Sequence, residues 1–200
     1  EALQRVEVRQ FHPWEGGEGK VPFQYLTARV SLAKAAFQTG DYPRALELLE
    51  GARVYPHNLG EGKLAGAQEN DILYWLGCVH EKLGNTGEAN TYWEESTQGP
   101  GDLSAAMFYN DAQPDKIFYQ GLALQKLGRS DEAKAKFESL LDYGQAHRED
   151  SVKIDYFAVS LPDLLIWEED LNERNQIHCT FLMGLGKLGL GLYEEAHSHF

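Results

Sequence analysis

The chain has 200 residues, 42% of them hydrophobic, and carries 18 Lys and Arg against 31 Asp and Glu, a formal charge of −13. That supplies enough apolar material for one sizeable core or a short repeat array, while so acidic a surface repels nucleic-acid phosphates and anionic membranes. No stretch approaches the roughly 20 apolar residues that cross a bilayer, so neither nucleic acid nor membrane is expected as a partner.

The first residues, EALQRVEVRQFHPW, lack the basic start and apolar middle of a secretory signal. Residues 1–25 are expected to be an extended N-terminal segment leading into a helical domain over 26–200. With no initiator Met, and with Phe200 falling inside the helix-like run EEAHSHF, the chain reads as a fragment of a longer protein. Near the end of that segment, HPWEGGEGKV holds Gly17-Glu18-Gly19-Lys20 behind His12, and PHNLGEGKLAG later repeats the pattern as Gly60-Glu61-Gly62-Lys63 behind His57. Neither copy is a phosphate loop. That loop needs a glycine five residues before its Gly-Lys and a hydroxyl after it, and those places hold Trp14 and Val21 in one copy, His57 and Leu64 in the other. A structural turn and a grip on a ligand or partner stay open for Trp14, Glu18, Lys20, Glu61 and Lys63.

From residue 26 onward the chain is organised by glycines. Gly40, Gly84 and Gly128 recur every 44 residues and Gly191 follows after 63, each ending a helix-like run where a left-handed residue is needed. Before each stands a small residue (Ala33, Gly77, Gly121, Gly184), and five residues after each stands an alanine (Ala45, Ala89, Ala133, Ala196). Four residues further on, on the same helical face, comes Leu49, Trp93, Phe137 or Phe200. Two helices approach closely only where one offers Gly or Ala, and a bulky side chain one turn on fills the wedge between them.

The runs AKAAFQTGDYPRALELL, LGCVHEKLGNTGEANTYW, QGLALQKLGRSDEAKAKF and MGLGKLGLGLYEEAHSHF resemble tetratricopeptide repeats, over roughly residues 26–54, 70–98, 114–143 and 176–200. The expected fold is an all-α, right-handed solenoid of four such hairpins. Since a unit of that family takes about 34 residues, the surplus lies between hairpins: VYPHNLGEGKLAGAQEN, QGPGDLSAAMFYNDAQP, and a third insert at 148–175 in which Pro162 predicts a short helix bearing Leu164, Leu165 and Trp167. The two Gly-Glu-Gly-Lys stretches, with DYFAVSLPDLL and FYQGLAL, also resemble the C-terminal helical part of large bacterial proteins whose N-terminal domain is of unknown function and linked to carbohydrate.

The repeat resemblance implies a groove lined by first-helix positions: Val30, Tyr74, Phe118 and Phe181, with Lys34, Cys78, Leu122 and Leu185 one turn on. Such a trough is apolar and aromatic, with little of the positive charge that clamps a peptide carboxylate. Either a peptide occupies it, or the inserts or a further domain fill it and its aromatics become core. Trp75, Trp93 and Trp167 read as packing residues, and Trp14 as either packing or a ligand platform.

Catalytic and metal chemistry find little footing. A glycosidase pair needs two acids about 5–9 Å apart; Glu15, Glu18, Glu61, Glu69 and Asp71 are the candidates, though Glu69 and Asp71 also suit a helix N-terminus. His80-Glu81 opens like a zinc-protease helix, but Gly84 replaces the second ligand. His12, His57, His147 and His178 lack ligand spacing, and His197 and His199 point to different helix faces. Cys78 and Cys179, 101 residues apart in apolar runs, read as reduced buried thiols of a cytoplasmic protein. The expectation is a protein-interaction or scaffold module without cofactor or metal, binding a peptide, a protein or an N-terminal domain of its own polypeptide. The alternative is a helical domain that completes a carbohydrate site.

Overall fold

Glycines in the left-handed region close the four hairpins. The computed structural model describes residues 1–14, 17–106, 111–153 and 170–200, and among these every regular element is helical. They are α1 (Ala2–Val8), α2 (Lys20–Gln38), α3 (Tyr42–Ala52), a 3-10 turn at His57–Leu59, α4 (Asn70–Lys82), α5 (Thr86–Ser96), α6 (Pro114–Lys126), α7 (Ser130–His147), α8 (Leu171–Gly189) and α9 (Tyr193–His197). The hairpins are α2/α3, α4/α5, α6/α7 and α8/α9. Gly40, Gly84, Gly128 and Gly191 have φ of 80°, 83°, 75° and 79°. At each, the glycine N–H reaches back three residues and the next N–H five, as Gly40 N to Phe37 O at 3.1 Å and Asp41 N to Ala36 O at 2.9 Å. This double closure satisfies the last carbonyls of the first helix and turns the chain directly into the second.

The chain divides into two compact units, residues 1–95 and 96–200. In the first, Ala33, Ala45, Leu48, Leu49, Ala52, Ile72, Leu76 and Val79 form one buried core. The small-to-large pairing works as a socket: a Cβ on Gly77 would run into the Trp93 indole, which is buried and donates Nε1–H to Tyr74 O at 3.3 Å. Helix α1 lies within the segment expected to be extended, and α2 begins at Lys20. The physical reason is that Leu3 is buried in the same core and Glu7 pairs with Arg29 of α2 at 2.8 Å, so the N-terminal stretch gains a partner on which to fold.

In the second unit Ile117, Phe118, Leu124, Ala133, Phe137, Leu140, Leu182 and Leu185 form the core. Phe137 is fully enclosed, filling the socket left by Gly121; removing such a ring typically costs about 3–5 kcal/mol. Helices α7 and α8 approach to backbone contact: a Cβ on Gly186 would stand 2.7 Å from Phe137 O. The hairpin glycine Gly184 faces Phe200, whose ring would lie 2.8 Å from an added Cβ. The short helix expected at Pro162, with Leu164, Leu165 and Trp167, lies outside the described residues, as does Glu15.

Candidate functional site

The two Gly-Glu-Gly-Lys stretches meet in the first unit. Asn58 draws them together, donating its side-chain amide to Val6 O at 2.9 Å and Arg9 O at 2.7 Å, while its own carbonyl accepts Phe11 N at 2.8 Å. Gly60, at φ 79°, passes so close to this segment that a Cβ would stand 2.7 Å from Phe11 O. Glu61 Oε2 then accepts the Gly19 N–H at 2.7 Å. Gly19 is the N-cap of α2 and has φ 77°, so a carboxylate sits where exposed helix amides and the helix dipole favour negative charge. Lys63 reaches Glu69 at 2.7 Å, and Arg53 lies 3.6 Å from the other Glu69 oxygen. Glu61 and Lys63 are thus engaged within the chain. Trp14, Glu18 and Lys20 are exposed, with the Trp14 ring laid on Gly17. Asp71 stands in the first turn of α4. Among the described residues no group of three or more His, Cys, Asp or Glu is placed to hold a metal ion.

The trough positions fall into two sets. In the first unit Val30 and Cys78 are buried, whereas Lys34 and Tyr74 remain partly open. The Lys34 ammonium sits 5.6 Å from the centre of the Trp75 ring, which is edge-packed by Phe37 at 5.3 Å and Tyr74 at 5.7 Å. A cation over an aromatic row on an accessible face is a recognisable contact surface. In the second unit Phe118 and Leu185 are buried and Leu122 packs at the margin of their cluster. Phe181 is 39% exposed and meets Phe200 edge-on at 5.9 Å, beside a shallow depression of about 480 Å³ that also involves Ile177 and Arg148.

A stretch of the second insert, bent at Gly99 with φ 99°, lies against α6 and α8. Gln120 of α6 donates its amide to Gln98 O at 3.2 Å and Pro100 O at 2.9 Å. His178 of α8 meets Ser104 O at 2.9 Å; a carbonyl only accepts, so Nε2 carries the proton. Burial pushes the His178 pKa below its ordinary 6.5, holding the ring neutral near pH 7. Between these clamps Leu103 packs on the cluster containing Phe118 and Leu185. Sequence reasoning missed Gln120. Its signal was a polar residue on the core face of α6, one turn from Ile117 and Leu124.

Models of the tetratricopeptide repeat match residues 26–50 and 117–143. Two stretches of this chain are similar to tetratricopeptide repeats. The matches fall on the α2/α3 hairpin and on α6/α7, one in each unit. With helices as the only regular elements among the described residues, the architecture is an all-α helical repeat. No solved structure matches the chain. Among the described residues, no helix is long and apolar enough to cross a membrane.

Proposed function

We propose that the chain is a protein-interaction module that holds extended segments of a protein partner, supplied by another protein or by an N-terminal domain of its own polypeptide, on faces built from the first helices of its hairpins. The observation that carries this reading is the partly open row on the first unit, Lys34 over Trp75 with Tyr74 beside it, where Lys34 stands on the hairpin similar to a tetratricopeptide repeat. Aromatic rings on a rigid helical face supply contact area at small entropic cost, and an ammonium over them adds selectivity.

The carbohydrate alternative has one observation in its favour, the meeting of the two glycine-rich loops. Against it, Glu61 serves as a helix cap and Lys63 pairs with Glu69, which leaves Trp14, Glu18 and Lys20 as the loop side chains turned to solvent.

Selection of a phage-displayed random-peptide library on the immobilised chain tests the proposal. Enriched peptides should bind in the micromolar range, about −8 kcal/mol, and should lose binding on Tyr74→Ala or Lys34→Glu while the helical circular-dichroism signal is kept. No enrichment, or peptides indifferent to both substitutions, would reject this face.

A further inference from the structure

We propose that residues 98–106 are an internal occupant of a second peptide-binding face, on α6 and α8, and that its partner is a peptide with the same glycine bend that displaces them, offering backbone carbonyls to Gln120 and His178 and one leucine-sized side chain to the cluster that Leu103 fills. The inference rests on the peptide-binding reading above.

The way the segment is held argues for this. Three of its carbonyls, those of Gln98, Pro100 and Ser104, accept hydrogen bonds from helix side chains. The bonds go to backbone carbonyls, and Gly99 between them, at φ 99°, makes the bend that brings the Gln98 and Pro100 carbonyls to one amide. The apolar anchor is Leu103. Backbone hydrogen bonds for affinity and one side-chain position for selection describe how grooves take peptides.

Two further observations suggest that the segment is an imperfect tenant. Gln120 Oε1 is buried and has no hydrogen-bond partner among the described residues, and it faces Gly101, where an added Cβ would stand 3.5 Å from it and 2.6 Å from Lys136 Nζ. A buried amide oxygen left unpaired carries a desolvation cost that a suitable donor would relieve. A partner with an N–H at this point satisfies both ends of the Gln120 amide, donor to carbonyl and acceptor to N–H. In addition, Ala106 is held at φ 48°, in the left-handed region, with its N–H on Ser104 Oγ at 3.1 Å. A non-glycine residue adopts that conformation at a cost in backbone energy. Displacement releases it.

A tethered occupant competes at high effective concentration, so a peptide in trans sees an affinity reduced by the fraction of molecules whose face is open. The probe is a fluorescent, end-capped peptide of residues 98–106, QGPGDLSAA. Leu103→Ala in the chain should tighten its binding at least about tenfold over wild type, the equivalent of 1.4 kcal/mol in occupancy. The same peptide with alanine in place of its leucine should not bind. Amide exchange across residues 98–106 of the wild-type chain should accelerate when peptide is present in excess, a readout that needs no variant to fold. Equal binding to both chains with unchanged exchange overturns the internal-occupant inference and leaves peptide binding elsewhere intact. Failure of the peptide to bind Leu103→Ala, when exchange shows the segment already released, means that this face has no affinity for such peptides, and both readings fail there.

Discussion

Gly77→Ala should destabilise the first unit even though it replaces a poor helix former with the best one. In an exposed helix interior that change is favourable by about 1 kcal/mol. At position 77, however, the new methyl enters the space of the Trp93 indole, whose nearest atoms include Nε1 itself. The ring is buried, and its N–H is committed to Tyr74 O. It cannot swing away as the end of a lysine would. Forcing a methyl into a packed core costs about 1–3 kcal/mol, and loss of the indole hydrogen bond adds roughly 1 kcal/mol, for a net destabilisation of about 1–3 kcal/mol. Urea unfolding followed by tryptophan fluorescence and circular dichroism measures it. Gly87→Ala is the internal control: Gly87 lies in α5 with nothing within 4 Å of an added Cβ, so the same substitution there should stabilise by a few tenths to about 1 kcal/mol. A double-mutant cycle with Trp93→Leu should recover most of the Gly77→Ala penalty, because the methyl then meets a smaller, movable neighbour. Stabilisation by Gly77→Ala, or additivity with Trp93→Leu, would refute the socket argument for the hairpins.

Asn175→Ala should cost about 1–3 kcal/mol, since the buried amide donates to His147 O at 2.7 Å and Arg148 O at 3.3 Å at the end of α7; faster amide exchange confined to the last turn of α7 is the expected sign, and an unchanged pattern would contradict the capping role. His178 should titrate below 6.5 by NMR, because burial disfavours its cation. A depressed folded pKa gives stability that is present in full above the unfolded value near 6.5 and is lost as pH falls through the folded value. Wild type should therefore weaken between pH 6.5 and lower pH more than His178→Gln does, and a ring titrating at or above 6.5 would remove the basis for the difference.

What the sequence conveyed and what it concealed divide along a physical line. The turn glycines, the small residues facing Trp93 and Phe137, and the buried alanines at 45, 89, 133 and 196 were readable because each answers a local geometric demand that repeats. A left-handed turn admits glycine, and a close helix crossing admits a small residue. The candidate sites depended instead on where long inserts come to rest, and no periodicity encodes that. Glu61 could be seen as an acid in a loop, yet its role as the cap of α2 arises from a contact 42 residues distant in sequence. Helix α1 was invisible for a related reason: seven residues do not make a helix alone, and only the core that receives Leu3 and the Arg29 that meets Glu7 make it one. Phe118 and Leu185 looked like groove positions because the hairpin places them on the face of a first helix. Leu103 reaches the same cluster from the second insert. A groove residue and a core residue can therefore carry the same local signature, and what separates them is the occupancy of the face. That makes the accessibility of Phe118 in a Leu103→Ala chain the sharpest quantity to measure: if the insert is what buries it, hydrogen exchange and aromatic NMR should report its exposure, and if Phe118 stays protected, the helices alone account for its burial.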